Sequence, residues 1–528
     1  MKNNKIKKII SINLILISIL SIFNFNSKSK ATITRENETG EITVSNIEPG
    51  VNVTLTQLAS IEYSFQRDQA TDNYVWLQQV EEWIRQNYPE YLDTREFYKK
   101  VKDNSEEANN FYQKMVAAIG RREINVNVVK ETQQVEGTPN YSENGVDLTG
   151  EMTFKNVMMG TYLVTIENGY MIYEPSIVNL IPTYDENENT WKINNQEVIV
   201  KASIPSITKS VTEEGKIADD YDTSEEINYI LKADVPKYSE NSLSKKIYIS
   251  DKLDPSLTLK KDTITVYGIT TDGGENSLTD YNINYDTTRP STNENVSFVI
   301  EFDYENIKQY KNLKVTYNAK LNRDNSLVIG ENGNNNIAYL DYSNNPYSAS
   351  SIQTKSSNKI PVYTYEIDMK VVDRDNEELP LDTSTFMVFN PYGRYQRFVK
   401  GEEDGVYYVA GVDEIISDFV TKLTVNQEGK LYLKGLKEGT YEIEQIKAKD
   451  GYTMSAKSHN ITIKDENLDG IREDEYELII KNAKGYVLPV TGGNGIFLLV
   501  GIGASLITIG IALIISINKK RKILKENN

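Results

Sequence analysis

The feature that most limits the fold of this chain is a two-residue alternation repeated along most of its length. Short runs rich in Val, Ile, Thr and Tyr place apolar and polar residues on opposite faces. Examples are Glu41-Ile42-Thr43-Val44, Lys246-Ile247-Tyr248-Ile249, Leu313-Lys314-Val315-Thr316-Tyr317 and Tyr476-Glu477-Leu478-Ile479-Ile480. Period two marks strands with one face on a core, and Asn, Asp and Gly turns separate the runs. The 35 tyrosines against 13 phenylalanines suit thin layers whose rings keep one wet edge. The expected class is mainly β, built as tandem immunoglobulin-like β-sandwiches.

One segment departs from this pattern. Across residues 72–119, Trp76, Val80, Trp83 and Ile84 recur at helical spacing, as do Phe97 with Val101 and Phe111 with Met115. Asp93-Thr94-Arg95-Glu96 has the form of a capping box. Two or three helices inserted into the first domain and packed on one side of its sheet are expected. Small polar stretches with Pro at 201–206 and 354–361 read as linkers. They divide the chain into a first domain at 32–200, a middle β-sandwich at 201–358 and a third at 359–485.

The two ends carry targeting information. Lys2, Lys5, Lys7 and Lys8 precede an apolar run from Ile9 to Phe25, and Ser29-Lys30-Ala31 offers a small-x-small cleavage site. Residues 1–31 are expected to be a signal peptide. At the other end, an apolar stretch at 496–517 covers about 33 Å as a helix, enough to cross a bilayer. The basic residues of 518–528 behind it favour the cytoplasmic side. Just before this span stands Leu488-Pro489-Val490-Thr491-Gly492.

Composition excludes several functions. The chain has a formal charge of −18; removing six lysines with the first 31 residues and a net +4 with residues 492–528 leaves −28. Such a surface repels nucleic acid, so no nucleic-acid partner is expected. There is no Cys, and His459, in Lys457-Ser458-His459-Asn460, is the single His. Cysteine nucleophiles and zinc sites of the usual type are absent, and a serine triad would depend on one polar-context histidine. No metal, no cofactor and no enzyme acting on an external substrate are expected. Asp465-Glu466-Asn467-Leu468-Asp469-Gly470 has the oxygen spacing of a calcium loop, but Tyr476 stands where the closing Glu would be. A hairpin turn is the reading adopted.

Strand parity isolates three polar residues in the middle domain. Lys209 shares its face with Ile207 and Val211, Asp251 with Ile247, Ile249 and Leu253, and Asn336 with Ala338 and Leu340. A buried, unpaired Lys or Asp is costly, so each needs a reason. A shared one exists: desolvation lowers the lysine pKa and raises that of the acid. A neutral Lys209 amine can then attack the Asn336 amide carbon while protonated Asp251 polarises its oxygen and relays protons, giving an isopeptide bond and ammonia. Asp234 is the rival acid, at the opposite parity to Leu231, Ala233 and Val235.

Ile207-Thr208-Lys209-Ser210-Val211 at the start of the middle domain and GNNNIAYLDYSNNP, from Gly333 to Pro346, resemble the self-crosslinking second domain of sortase-assembled Gram-positive pilins. The pentapeptide at 488–492, the span and the basic tail together resemble a cell-wall sorting signal. This resemblance implies that Lys209 and Asn336 are the bonded partners and Asp251 the catalytic acid. It also implies that a sortase cuts between Thr491 and Gly492. The expected protein is a secreted, wall-anchored structural subunit that passes through a membrane-anchored precursor. Its partners would be sortase, neighbouring pilin subunits, the peptidoglycan cross-bridge and a host matrix protein. The alternative is a monomeric or pilus-base wall-anchored adhesin.

Gly439-Thr440-Tyr441-Glu442-Ile443, Gly451-Tyr452 and Ile480-Lys481-Asn482 resemble the Cna B-type sandwich of the same pilins. Where that family carries its catalytic Glu and reactive Lys, this chain has Gln445 and Val371; Asn482 remains. Gln cannot shuttle a proton, so no isopeptide bond is expected in the third domain. The low-ranked exception pairs Lys370 with Glu444. The opening strands of the first domain contain no lysine. The acceptor lysine of such shafts lies in Trp-x-x-x-Val-x-Val-Tyr-Pro-Lys; here Trp191 is followed by Val198-Ile199-Val200-Lys201-Ala202-Ser203. The spacing is longer and Ser203 occupies the lysine position, so Lys201, of outward parity, is the candidate acceptor.

Overall fold

The computed structural model describes residues 39–64, 69–93, 105–126, 130–138, 141–142, 145–185, 187, 190–411, 419–454, 457–471, 477–485 and 494–526. The signal-peptide region, the capping box beyond Asp93, the Phe97–Val101 pair and the pentapeptide at 488–492 lie outside them.

The described chain is mainly β, and its strands close three principal apolar cores. The first core lies between two sheets. One has the order Gln196–Ile199, Thr39–Ile47, Gly150–Met158; the other runs Ser176–Leu180, Gly160–Glu167, Asn52–Ser64, Gln69–Trp76. Alternation does the sorting: in Thr39–Ile47, Ile42 and Val44 are buried between partly exposed neighbours.

Two helices, Gln78–Asn87 and Ser105–Gly120, cover one side of this unit. Val80, Trp83, Ile84, Phe111 and Met115 form a satellite core with Leu58, Ala59 and Leu163 of the sheet. Phe111 is ringed by Trp76, Trp83, Tyr88 and Tyr91 at centroid distances of 5.1 to 6.2 Å. The insertion starts later than its spacing suggests. Trp76 ends a strand, and its ring joins the helical stripe because the chain turns directly into the helix at Gln78.

The middle core is the largest. One sheet has the order Ile207–Val211, Ile227–Asp234, Asn312–Leu321, Leu257–Ile269, Glu275–Leu278. The facing sheet runs Asp219–Asp220, Ile360–Tyr363, Asn334–Tyr342, Ile247–Leu253, Asn295–Glu301, Asn282–Thr288. Residues 354–361 are therefore not a free linker. Gln353–Ser356 and Ile360–Tyr363 both pair with Asn334–Tyr342, and Ile360 and Val362 enter the core. The sheet runs past the expected boundary at 358. Likewise Ala202–Ser203 of the first linker pairs with Ile172–Tyr173.

In the third unit, Tyr365–Asp373 lies between Lys430–Leu436 and, in parallel, Glu477–Asn482, facing a sheet built on Thr385–Phe389 and Gly439–Lys447. Polar contacts join the units. Tyr342 Oη donates to the Tyr170 carbonyl at 2.5 Å and Asn344 Nδ2 to the Gly169 carbonyl at 2.7 Å. Buried Glu48 braces the same loop by accepting from the Tyr170 and Met171 N–H groups and the Tyr173 hydroxyl. Thr223 Oγ1 donates to the Val409 carbonyl at 2.8 Å. Among the described residues, one helix is long and apolar enough to cross a membrane: Val500–Lys519, with mean hydropathy 2.4. It lies within the helix Asn494–Glu526, which continues through the basic residues.

Candidate crosslinking site

Lys209 lies on Ile207–Val211 in one sheet of the middle unit; Asp251 and Asn336 lie on adjacent strands of the other. In the antiparallel register Leu253 faces Asn336 and Asp251 faces Ala338, so both side chains point across the core toward Lys209. Exposure is 4% for Lys209, 0% for Asp251 and 1% for Asn336. The Lys209 amine bonds the Asp251 carboxylate and donates to Tyr317 Oη at 2.8 Å. Asn336 Nδ2 donates to the same Tyr317 Oη at 2.8 Å. Phe298 and Tyr229 wall the site: Lys209 Nζ lies 4.9 Å from the Tyr229 ring centroid, and Phe298 meets the Tyr317 ring edge-on at 5.3 Å.

Asn336 does not lie on the last strand of its unit, because the two strands of 353–363 follow it. A Lys209–Asn336 link would join the two sheets across the core rather than the first strand to the last.

The apolar walls shift both ionisable groups. Burial pulls the Lys209 amine down from 10.5 to about 8, against the opposing pull of Asp251. Burial also pushes the Asp251 carboxyl up, against the pull of Lys209. Both shifts favour the neutral pair of free amine and carboxylic acid. Two oxygens of the cluster, Asp251 Oδ1 and Asn336 Oδ1, have no hydrogen-bond partner among the described residues.

An unlinked Lys209 binds fewer protons folded than unfolded between about pH 8 and 10.5, so its contribution to stability rises with pH across that window. Asp251, with a raised folded pKa, acts with the opposite sign. The combined variant Asp251→Asn, Asn336→Ala leaves only the amine to titrate. Its urea midpoint, relative to the same variant with Lys209→Met, is expected to rise with pH toward 10.5.

The other sequence candidates separate from this cluster. Asp234 is part-exposed and bonds Ser206 Oγ at 2.6 Å and Asn312 Nδ2 at 2.7 Å, at the end of its sheet. In the third unit Val371, Gln445 and Asn482 are all buried, and neither side-chain polar atom of Asn482 has a hydrogen-bond partner among the described residues. Glu444 is exposed on the opposite face from Gln445. Asp465 is buried, accepting from Tyr365 Oη at 2.7 Å and from the N–H groups of Asp469 and Gly470. Its carboxylate holds its own loop closed. His459 is part-exposed and lies opposite Ile443. Lys201 is exposed beside buried Val198 and Val200, and its carbonyl accepts from the Glu174 N–H.

Sequence reasoning missed two groups. Tyr317, at core parity in Asn312–Leu321, touches both nitrogens of the trio. Arg289, 3% exposed, donates to Asp341, Glu294, Ser291 and Thr354 and lies 3.8 Å from the Tyr339 ring centroid.

Comparison with known proteins assigns the architecture. Residues 367–477 match the family model described as SpaA, prealbumin-like fold domain. The chain is 26% identical over 309 residues to the trypsin-resistant surface T6 protein of Streptococcus pyogenes serotype M6. That match covers 54% of this chain and 50% of the relative, so the aligned part spans half the length of the curated protein. The fold is shared with the solved T6 backbone pilin of the same organism: TM-score 0.52, 19% identity, 83% of this chain and 81% of that one. It is also shared with the full-length major pilin SpaD of Corynebacterium diphtheriae: TM-score 0.50, 18% identity, 87% of this chain and 100% of that one. The tandem-sandwich expectation agrees with these folds.

Proposed function

We propose that this chain is a structural pilin of a Gram-positive cell surface, stiffened by an intramolecular Lys209–Asn336 isopeptide bond formed with Asp251 as the acid. The observation that carries this reading is the meeting, inside one apolar core, of an amine, a carboxyl and an amide contributed by two facing sheets. The Lys209 amine attacks Asn336 Cγ. Protonated Asp251 donates to Asn336 Oδ1, which gives each of the two orphaned oxygens a partner. The Cγ–Nδ2 bond breaks and ammonia leaves. The chain acts on itself once and turns over no external substrate.

In this reading the sandwiches occupy residues 32–200, 201–363 and 364–485. Sortase cleaves between Thr491 and Gly492 and passes the Thr491 carbonyl to Lys201 of a neighbouring subunit or to the peptidoglycan cross-bridge. The helix at Val500–Lys519 holds the precursor in the membrane until then. The exposed fibre is available to a host matrix protein. The resemblance to backbone pilins and the outward placement of Lys201 support polymerisation.

The test is a wall extract resolved under denaturing conditions. Wild type is expected to give a ladder of covalent high-mass species, and Lys201→Ala a single wall-linked species. A wild-type extract with only the single species contradicts polymerisation. A ladder that survives Lys201→Ala removes Lys201 as acceptor.

A further inference from the structure

The isopeptide reading requires one proton to move between two nitrogens, a relay that the sequence reading gives to Asp251. When Lys209 Nζ bonds to Asn336 Cγ, the adduct carries its extra proton on Nζ, while Nδ2 must gain a proton to leave as ammonia. The net transfer is one proton from the attacking to the departing nitrogen. Asp251 is bonded to the amine through one oxygen and is needed at the amide oxygen through the other. A third group touches both nitrogens: Tyr317 Oη, 2.8 Å from Lys209 Nζ and 2.8 Å from Asn336 Nδ2.

We propose that Tyr317 is a catalytic residue of the self-crosslinking step: once Lys209 Nζ has added to Cγ and Asn336 Nδ2 has become a tetrahedral amine able to accept, the Tyr317 hydroxyl takes the proton from Nζ while giving its own to Nδ2. The phenol is unchanged at the end, the Nζ–Cγ bond has replaced Cγ–Nδ2, and no co-reactant is required. Hydrogen-bond reach to both ends of a transfer is the geometric requirement for such a relay. The ring is held for it. Tyr317 is 1% exposed, stacks with cross-strand Tyr229 at 5.5 Å and meets the edge of Phe298. Burial and the nearby Asp251 charge keep its free phenolate inaccessible, which favours a concerted exchange over a stepwise one. Tyr229, the other buried phenol of the cluster, meets Lys209 with its ring face and makes no hydrogen bond to the amine, so it does not bridge the two nitrogens and serves as the internal control.

This inference rests on the isopeptide reading, and the experiment separates the two. The full chain is made by cell-free synthesis, translation is stopped, and loss of ammonia is followed by intact mass. Wild type is expected to lose one ammonia, Tyr229→Phe to lose it at a similar rate, and Tyr317→Phe to lose it on the order of 100-fold more slowly. Fluorinated tyrosines placed at 317 keep the ring and hydroxyl, and the rate is expected to change with phenol acidity. This arm remains informative if Tyr317→Phe folds poorly. No ammonia loss from wild type overturns the isopeptide reading itself. Loss from Tyr317→Phe at the wild-type rate, or rates indifferent to fluorination, overturns the role of Tyr317 alone.

Discussion

Asp251→Ala is expected to leave the middle sandwich unlinked, to keep the ammonia that wild type loses, and to be less stable by at least about 4–5 kcal/mol. The magnitude comes from chain entropy. A bond between Lys209 and Asn336 closes a loop of 127 residues, which by analogy with a disulfide of that span restricts the unfolded chain by this amount. Two effects act together in the variant. Loss of the acid stops the chemistry, and it also strips the buried amine of its carboxylate partner. Burial already pulls that amine down to about 8, and without Asp251 only the desolvating influence remains. The Lys209→Met, Asn336→Ala variant separates them, since it lacks both the bond and the buried amine, while burial favours the neutral form of the Asp251 that remains. Urea unfolding is expected to place it between Asp251→Ala and wild type. Equal midpoints for wild type and Asp251→Ala would show that no crosslink contributes to stability.

The second large effect belongs to Arg289. Its guanidinium is buried against Asp341, which is fully buried on the same strand as Asn336, and the two share Ser291 and Thr354. Arg289→Ala leaves the Asp341 carboxylate buried without its cation. Removing one partner of a buried ion pair costs about 3–5 kcal/mol. The double variant Arg289→Met, Asp341→Leu removes both charges and is expected to recover most of the loss, since apolar replacement of a buried pair is often close to neutral. Denaturant midpoints of the three proteins check this. A double variant no more stable than Arg289→Ala would assign the effect to packing over Tyr339 instead.

Much of the site could be read from the chain because strands impose strict parity. Lys209, Asp251 and Asn336 each interrupt an apolar face at even spacing, and the two-sheet architecture left them one place to meet. Tyr317 obeys the same parity with Leu313, Val315, Ala319 and Leu321. A tyrosine at a core position is ordinary in a chain this rich in tyrosine, so nothing marked this hydroxyl as aimed at two nitrogens. Arg289 sits in the turn after Asn282–Thr288, where no periodicity operates, and only tertiary folding brings Asp341 to it.

The linker at 354–361 was misread because Lys, Ser, Thr and Asn dominate it. The alternation of Ile360 with Val362, and the burial of Lys355 and Ser357, emerge only when Asn334–Tyr342 is in place to pair with it. The helical insertion was legible from Val80, Trp83 and Ile84, but its start was not. A strand-end Trp76 falls on the helical stripe by geometry of the junction rather than by periodicity. In the third unit, buried Val371 and Gln445 stand where the resemblance puts an amine and an acid, and the Asn482 amide has no hydrogen-bond partner among the described residues. The whole chain is therefore expected to carry a single internal crosslink.

That expectation is tested most directly by mass. The intact chain should weigh one ammonia less than its sequence requires. Proteolysis should yield one branched peptide joining the segment around Lys209 to the segment around Asn336, absent from Asp251→Ala. A chain of full sequence mass, with Lys209 and Asn336 recovered on separate peptides, would contradict the account.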